Sequence, residues 1–139
     1  MPSKKKRHNS LLDKLKNDYK ELVFLEGPKY LFRPPKTIYF EPDSADKESE
    51  ILLLHELAHA KLGHKTYSTD VERLKMETEA WEKARSLADH YGVEIDEDMI
   101  QEELDTYRNW LFSKSRCKKC GSTRYQTPDG KYTCPVCEE

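Results

Sequence analysis

The sequence predicts an α+β fold: a small, mostly helical domain with a short β-sheet, followed by a β-hairpin. Three observations carry this expectation. Between positions 46 and 113 apolar residues recur in steps of three and four, the period of helices packed on one side. Upstream, "ELVFLEG" and "KYLFRPPKTIYFEP" gather Val, Ile, Phe and Tyr between Gly and Pro breaks, which is the pattern of short strands. Beyond residue 113 the chain becomes rich in cysteine and turn formers, and that stretch is too short to bury a core of its own.

The elements follow in order. Residues 1–8 are basic and are expected to form a disordered arm rather than a nucleic-acid or targeting segment. Asn9 or Ser10 caps a helix to about Tyr19, with Leu11, Leu12, Leu15 and Tyr19 on one side. Two or three strands come next, with Gly27-Pro28 and Pro34-Pro35 between them and "TIYFE" as the last. "DSADKESE" offers N-cap residues for a helix from about Asp46 to Leu62, closed by Gly63 in a left-handed turn. A further helix spans about Thr69 to Tyr91 and ends at Gly92, and another spans about Asp96 to Ser113. The acidic start of that last helix suits the positive end of the helix dipole. The expected division is therefore 1–8 arm, 9–113 helical domain and 114–139 hairpin.

Composition bounds the function. With 139 residues, 36% hydrophobic and 36% charged, the core is small and the surface heavily charged. A net charge of −2 does not by itself point to nucleic acid or membrane. The charge is uneven: residues 1–20 hold seven Lys/Arg against two Asp, and Glu94 to Asp105 holds seven acids and no base. The basic start lacks the apolar segment of a signal peptide, and no run nears the ~18 apolar residues of a membrane span. All four cysteines fall in two Cys-x-x-Cys pairs near the end, a metal pattern rather than a disulfide one in an unexported protein. A cytoplasmic protein without membrane contact is expected.

The stretch "LLLHELAHAKLGH" sets His55 and His59 one helical turn apart, so both imidazoles leave the same face and can share one ion. Glu56 follows the first of them, placed to act on a water of that ion rather than to bind it. This is the His-Glu-x-x-His arrangement of zinc peptidases. The motif is short enough to arise by chance, and a catalytic zinc wants a third protein ligand with one position left open.

That ligand is expected from the next helix. Its apolar face reads Leu74, Trp81, Ala84, Ala88 and Tyr91, and Glu77 falls on the same stripe. A carboxylate on a core-facing stripe is costly unless paired or bound to metal. Glu79 instead turns toward Lys75, Glu82 and Lys83, the solvated side. Glu77 is the expected third ligand, with Glu79 and His64 as the alternatives. His64 and Gly63 do not fit the metzincin spacing, and a continued helix would carry His64 away from His55; only a reversal after Gly63 would bring it back. Tyr67 is read as packing in preference to an oxyanion-stabilising hydroxyl.

In "CKKCGSTRYQTPDGKYTCPVC", 13 residues separate the pair Cys117 and Cys120 from the pair Cys134 and Cys137. Two such knuckles joined by a hairpin make a tetrahedral four-thiolate zinc site, a zinc ribbon. Pro128-Asp129-Gly130 supplies the turn between "TRYQT" and "KYTC". So small a segment is expected to fold on its metal. Lys118, Lys119, Arg124, Lys131, Tyr125 and Tyr132 suit a nucleic-acid contact but are equally ordinary on a ribbon that docks protein.

A strand-rich start, "HELAHAKLGH" and then "METEAWEKA" resemble the minimal zinc peptidases of the ImmA/IrrE kind, related to gluzincins, over about residues 20–110. The resemblance implies a zincin-like domain in which His55, His59 and Glu77 bind zinc and Glu56 is general base. Glu77 and Ala80 match the family's Glu-x-x-Ala pattern, while Trp81 replaces the polar residue that usually follows it. The resemblance further implies a protein substrate, a repressor or other regulator. The expected protein is thus a zinc metallopeptidase with one catalytic and one structural zinc. Three rivals stand beside it: a SprT-like protease acting on DNA-bound proteins with a downstream histidine as third ligand, a non-enzymatic zinc protein that binds nucleic acid through the basic arm and the ribbon, and a toxin or antitoxin. Substrate and oligomeric state are not legible in the sequence.

Overall fold

The computed structural model describes residues 4–42 and 46–137. Positions 1–3 of the basic arm and the cap candidates Asp43 and Ser44 lie outside the described residues. The architecture is α+β, with helices α1 (Lys4–Asp18), α2 (Lys47–Leu62), α3 (Asp70–Tyr91) and α4 (Glu97–Ser115). Strands β1 (Val23–Glu26), β2 (Leu31–Arg33) and β3 (Thr37–Phe40) precede α2, and β4 (Tyr125–Gln126) and β5 (Tyr132–Thr133) follow α4. α1 begins ahead of Asn9 and takes in part of the stretch expected to be a disordered arm, because Lys and Arg are good helix formers and nothing there interrupts the turn.

The chain divides into two compact units: residues 1–65 with 79–96, and residues 66–78 with 97–139. The division falls inside α3, which is one continuous helix.

In the first unit α2 is the central element. Asp46 caps it by accepting from the Ser49 N–H at 2.8 Å, and Gly63 ends it in the left-handed conformation at φ 71°. Ile51, Leu53, Leu54, Leu57 and Ala58 are fully buried, so the helix is enclosed on more than one side. Each such leucine contributes roughly 1.5–3 kcal/mol by leaving water. α1 packs on α2 through its buried Leu11, Leu12 and Leu15. The three-stranded sheet runs β1-β3-β2, with β1 parallel and β2 antiparallel to β3. Ile38 and Phe40 of the central strand are buried, and Ile38 is flanked in register by Phe24 and Phe32. β2 and β3 both contact α2. The Pro34-Pro35 bond joining β2 to β3 is cis. From α3, Ala80, Trp81, Ala84, Leu87 and Ala88 are buried.

In the second unit α4 buries Met99, Ile100 and Leu104. The β4–β5 hairpin pairs Tyr125 with Thr133 and Gln126 with Tyr132. Among the described residues no helix is long and apolar enough to cross a membrane.

Candidate metal sites

His55 and His59 project from the buried side of α2, at 6% and 8% exposure. One helical turn separates them, and their Nε2 atoms lie 3.2 Å apart. The indole of Trp81 lies flat on the His55 ring, with centroids 3.9 Å apart and an interplanar angle of 17°. Trp81 thus packs against this histidine ring by stacking.

Glu77 stands on α3 one turn before Trp81 and is half-buried. His55, His59 and Glu77 bring one ligand atom each within 4.8 Å of one another, a group able to hold a metal ion. Burial, with the Glu77 charge as the second cause, pushes the Tyr107 hydroxyl above its ordinary value. Glu56, the next residue after His55, accepts a hydrogen bond from the Phe32 N–H at 2.6 Å. Its carboxylate is thus tied to strand β2, a contact across 24 positions of sequence that no local pattern signals.

Gly63 reverses the chain rather than letting it continue. The His64 N–H bonds back to the His59 carbonyl at 3.1 Å, which carries the His64 ring onto His59. Nδ1 of His64 lies 2.9 Å from Nδ1 of His59, on the side of that ring away from His55. The other nitrogen of His64, Nε2, lies 3.3 Å from Glu79 Oε1. Glu79 therefore engages His64 instead of the lysines of its own helix. Tyr67 is half-exposed, with the Arg73 guanidinium 5.6 Å above its ring.

The second group is formed by Cys117, Cys120, Cys134 and Cys137, whose sulfurs also lie within 4.8 Å of one another. All four are free thiols. Cys117 and Cys137 are 3.8 Å apart and Cys120 and Cys134 3.6 Å, well beyond a disulfide bond. The knuckles are closed by backbone bonds, from the Cys117 N–H to the Ser122 carbonyl at 2.8 Å and from the Gly121 N–H to the Cys117 carbonyl at 2.9 Å. Hydrogen bonds from Ser122, side chain first and backbone next, pull the Cys120 thiol down to about 6. The N–H groups of Cys120 and Lys119 lower Cys117 as well. Cys137, hydrogen-bonded to Cys120 and Cys117, is pushed up to about 12. Cys120 and Cys117 are thus moved toward thiolate, the form in which a thiol binds metal.

A contact hub in the same unit escaped the sequence reading. Asp70, 6% exposed, accepts from the Tyr132 hydroxyl at 2.7 Å and pairs with the Lys114 ammonium at 3.2 Å. Its own N–H donates to Gln126 Oε1 at 2.6 Å. Gln126 and Tyr132 lie 56 and 62 residues away, and the only local signal was an acid at the start of a helix. Burial, then the bond to Asp70, pushes the Tyr132 hydroxyl up to about 12.

No family model, curated protein or solved structure matches this chain. What the fold and sites define is an α+β protein with two groups able to hold metal ions, one of two imidazoles and a carboxylate and one of four thiols.

Proposed function

We propose that the chain is a zinc metallopeptidase of the ImmA/IrrE-like kind, with a catalytic zinc on His55, His59 and Glu77 and a structural zinc on the four cysteines. The observation that carries this reading is the facing Nε2 pair, 3.2 Å apart with Glu77 in reach and Glu56 alongside. Two nitrogens on one tetrahedral zinc, at bonds of ~2.0–2.1 Å, would stand roughly 3.3 Å apart, and two thiolates at ~2.3 Å roughly 3.8 Å apart. The spacings of 3.2 Å and of 3.6–3.8 Å fit those spans. Three protein ligands leave a position open for substrate, whereas four thiolates close the second site.

The residues divide the work. A zinc held there supplies Lewis acidity to a water and to the scissile carbonyl. Glu56 takes the proton of the attacking water and delivers it to the departing amine, so that acid and amine products form with no proton left over. The Phe32 N–H keeps that carboxylate oriented until substrate arrives. A protein or peptide is the substrate class this chemistry requires, and a cytoplasmic regulator is the one the resemblance favours.

The test uses the full chain with zinc and a mixed peptide library, new termini being read by mass spectrometry. Wild type generates new termini. Glu56→Gln holds the same zinc and falls by about 10²–10⁴-fold. Equal cleavage by the two proteins sinks the mechanism.

A second reading, nucleic-acid binding by the ribbon, draws on half-exposed Tyr125 beside a hairpin that carries Lys118, Lys119 and Lys131. Arg124 is less free for it, being held over the Tyr132 ring at 4.9 Å. Binding to single-stranded DNA or RNA that weakens steeply with salt, without any cleavage, would favour this reading over the first.

A further inference from the structure

We propose that His64, backed by Glu79, is a positioning residue for His59, holding that ring in the one tautomer that can bind the ion. This inference rests on the reading that His55, His59 and Glu77 hold a metal. The two nitrogens of His59 face different neighbours. Nε2 faces the Nε2 of His55 at 3.2 Å, and Nδ1 faces His64 at 2.9 Å. A neutral imidazole carries one proton, and the nitrogen that binds metal cannot be the one that carries it. With Nε2 on the ion, Nδ1 of His59 must be protonated and must donate.

The 2.9 Å contact is between two ring nitrogens, so one donates and the other accepts. His59 being the donor, Nδ1 of His64 accepts and the proton of His64 sits on Nε2. That Nε2–H then points to Glu79 Oε1 at 3.3 Å. One assignment satisfies both contacts and leaves the metal-facing nitrogen of His59 as a lone pair. With the opposite tautomer at His64, Nε2 would be an acceptor facing a carboxylate, with both acceptors unsatisfied.

Metal-bound histidines usually donate their second nitrogen to a carboxylate or carbonyl, and that partner tunes affinity. Here a second histidine stands between ligand and carboxylate. Its ring is only 11% exposed, while Glu79 at 44% reaches toward water. The same geometry separates His64 from a ligand role, since it meets His59 on the nitrogen that turns away from His55. Gly63 makes the arrangement available by its left-handed turn, without which helix α2 would carry His64 off.

The experiment measures cobalt(II) and zinc affinity of the full chain by chelator competition. The visible spectrum of cobalt on the His/Glu group separates it from the sulfur charge-transfer bands of the ribbon. His64→Phe keeps the ring volume and removes both hydrogen bonds. His64→Gln keeps an acceptor toward His59 and a donor toward Glu79. The expected result is a loss of about 10–100-fold in affinity at the His/Glu group for His64→Phe, with stoichiometry intact at saturation. His64→Gln restores most of that affinity and the wild-type cobalt spectrum, which a merely space-filling residue would not require. Glu79→Leu, on a partly exposed position where folding is not at stake, weakens binding in the same direction by less. Wild-type affinity in both His64→Phe and Glu79→Leu overturns the inference while Glu77→Ala still loses the ion. If Glu77→Ala keeps the ion and His64→Phe abolishes binding even at saturation, His64 is itself the ligand, and the reading beneath falls as well.

Discussion

The two candidate metal groups are built on opposite principles. The imidazole pair sits on α2, a helix whose Ile51, Leu53, Leu54 and Leu57 are fully buried and whose two ends carry their own caps. Trp81, at 1% exposure, holds the His55 ring from α3. Ligand placement there follows from apolar packing on both helices. The thiol group sits on a hairpin of two-residue strands, with Cys117 and Cys134 among the few buried side chains nearby. What organises it is a handful of knuckle hydrogen bonds and, on the proposed reading, the zinc that its thiols would hold. A packed scaffold can leave a coordination position open, since the ion is not asked to hold the chain together; a hairpin without a core has to close its site.

The difference should be largest when metal is withdrawn. Structural zinc in small domains supplies on the order of 10–16 kcal/mol of apparent binding energy, and that energy is folding energy. A strong chelator, or Cys134→Ser, is therefore expected to unfold residues 116–137 while the α2 packing persists. Limited proteolysis would cut within the hairpin, and backbone amide signals of α2 would stay dispersed. Loss of both regions together would erase the contrast, as would a hairpin that stays protected without metal.

The converse perturbation belongs to the packed site. Trp81→Ala removes a fully buried indole and should cost about 3–5 kcal/mol, read as a lowered denaturation midpoint. It also frees the His55 ring, so affinity at the His/Glu group should fall even in the fraction that folds. The thiol group should bind as before. Equal damage at both groups would mean that the first site is no more scaffold-dependent than the second.

Legibility in the sequence divides along similar lines. Features set by neighbours in the chain were readable: the α2 span from the Asp46 cap to Gly63, the shared face of His55 and His59, the knuckle spacing, and Glu77 on the Leu74–Trp81 stripe. Features set by distant backbone were not. The Phe32 N–H on Glu56 depends on how β2 lies along α2, and the Asp70 hub on which turn of α3 meets Gln126 and Tyr132. Helical position alone turns Glu79 toward the solvated side, and what recruits it to His64 is the reversal at Gly63. A glycine announces that a turn is allowed; where the turn then points is decided by what it can pack or bond to.

The smallest expected effect tests how far the hairpin would depend on the proposed zinc alone. Asp70 joins it to the first turn of α3 through Tyr132 and Gln126, with Lys114 alongside. Removing a buried carboxylate strands the hydroxyl that donated to it, and hydrogen bonds to charged groups are worth about 1.5–3 kcal/mol. Asp70→Ala should therefore cost roughly that amount in the metal-loaded protein, while Tyr132→Phe, which leaves the Asp70 carboxylate its Lys114 partner, should cost less. Since both changes act on one contact, the double variant should fall well short of the sum of the two. Chemical denaturation of the zinc-loaded protein measures all three. Additive losses would mean that the Asp70 carboxylate works through Lys114 rather than through Tyr132. No loss in any variant would mean that metal and knuckles suffice, and that the hairpin rests on α3 without drawing stability from it.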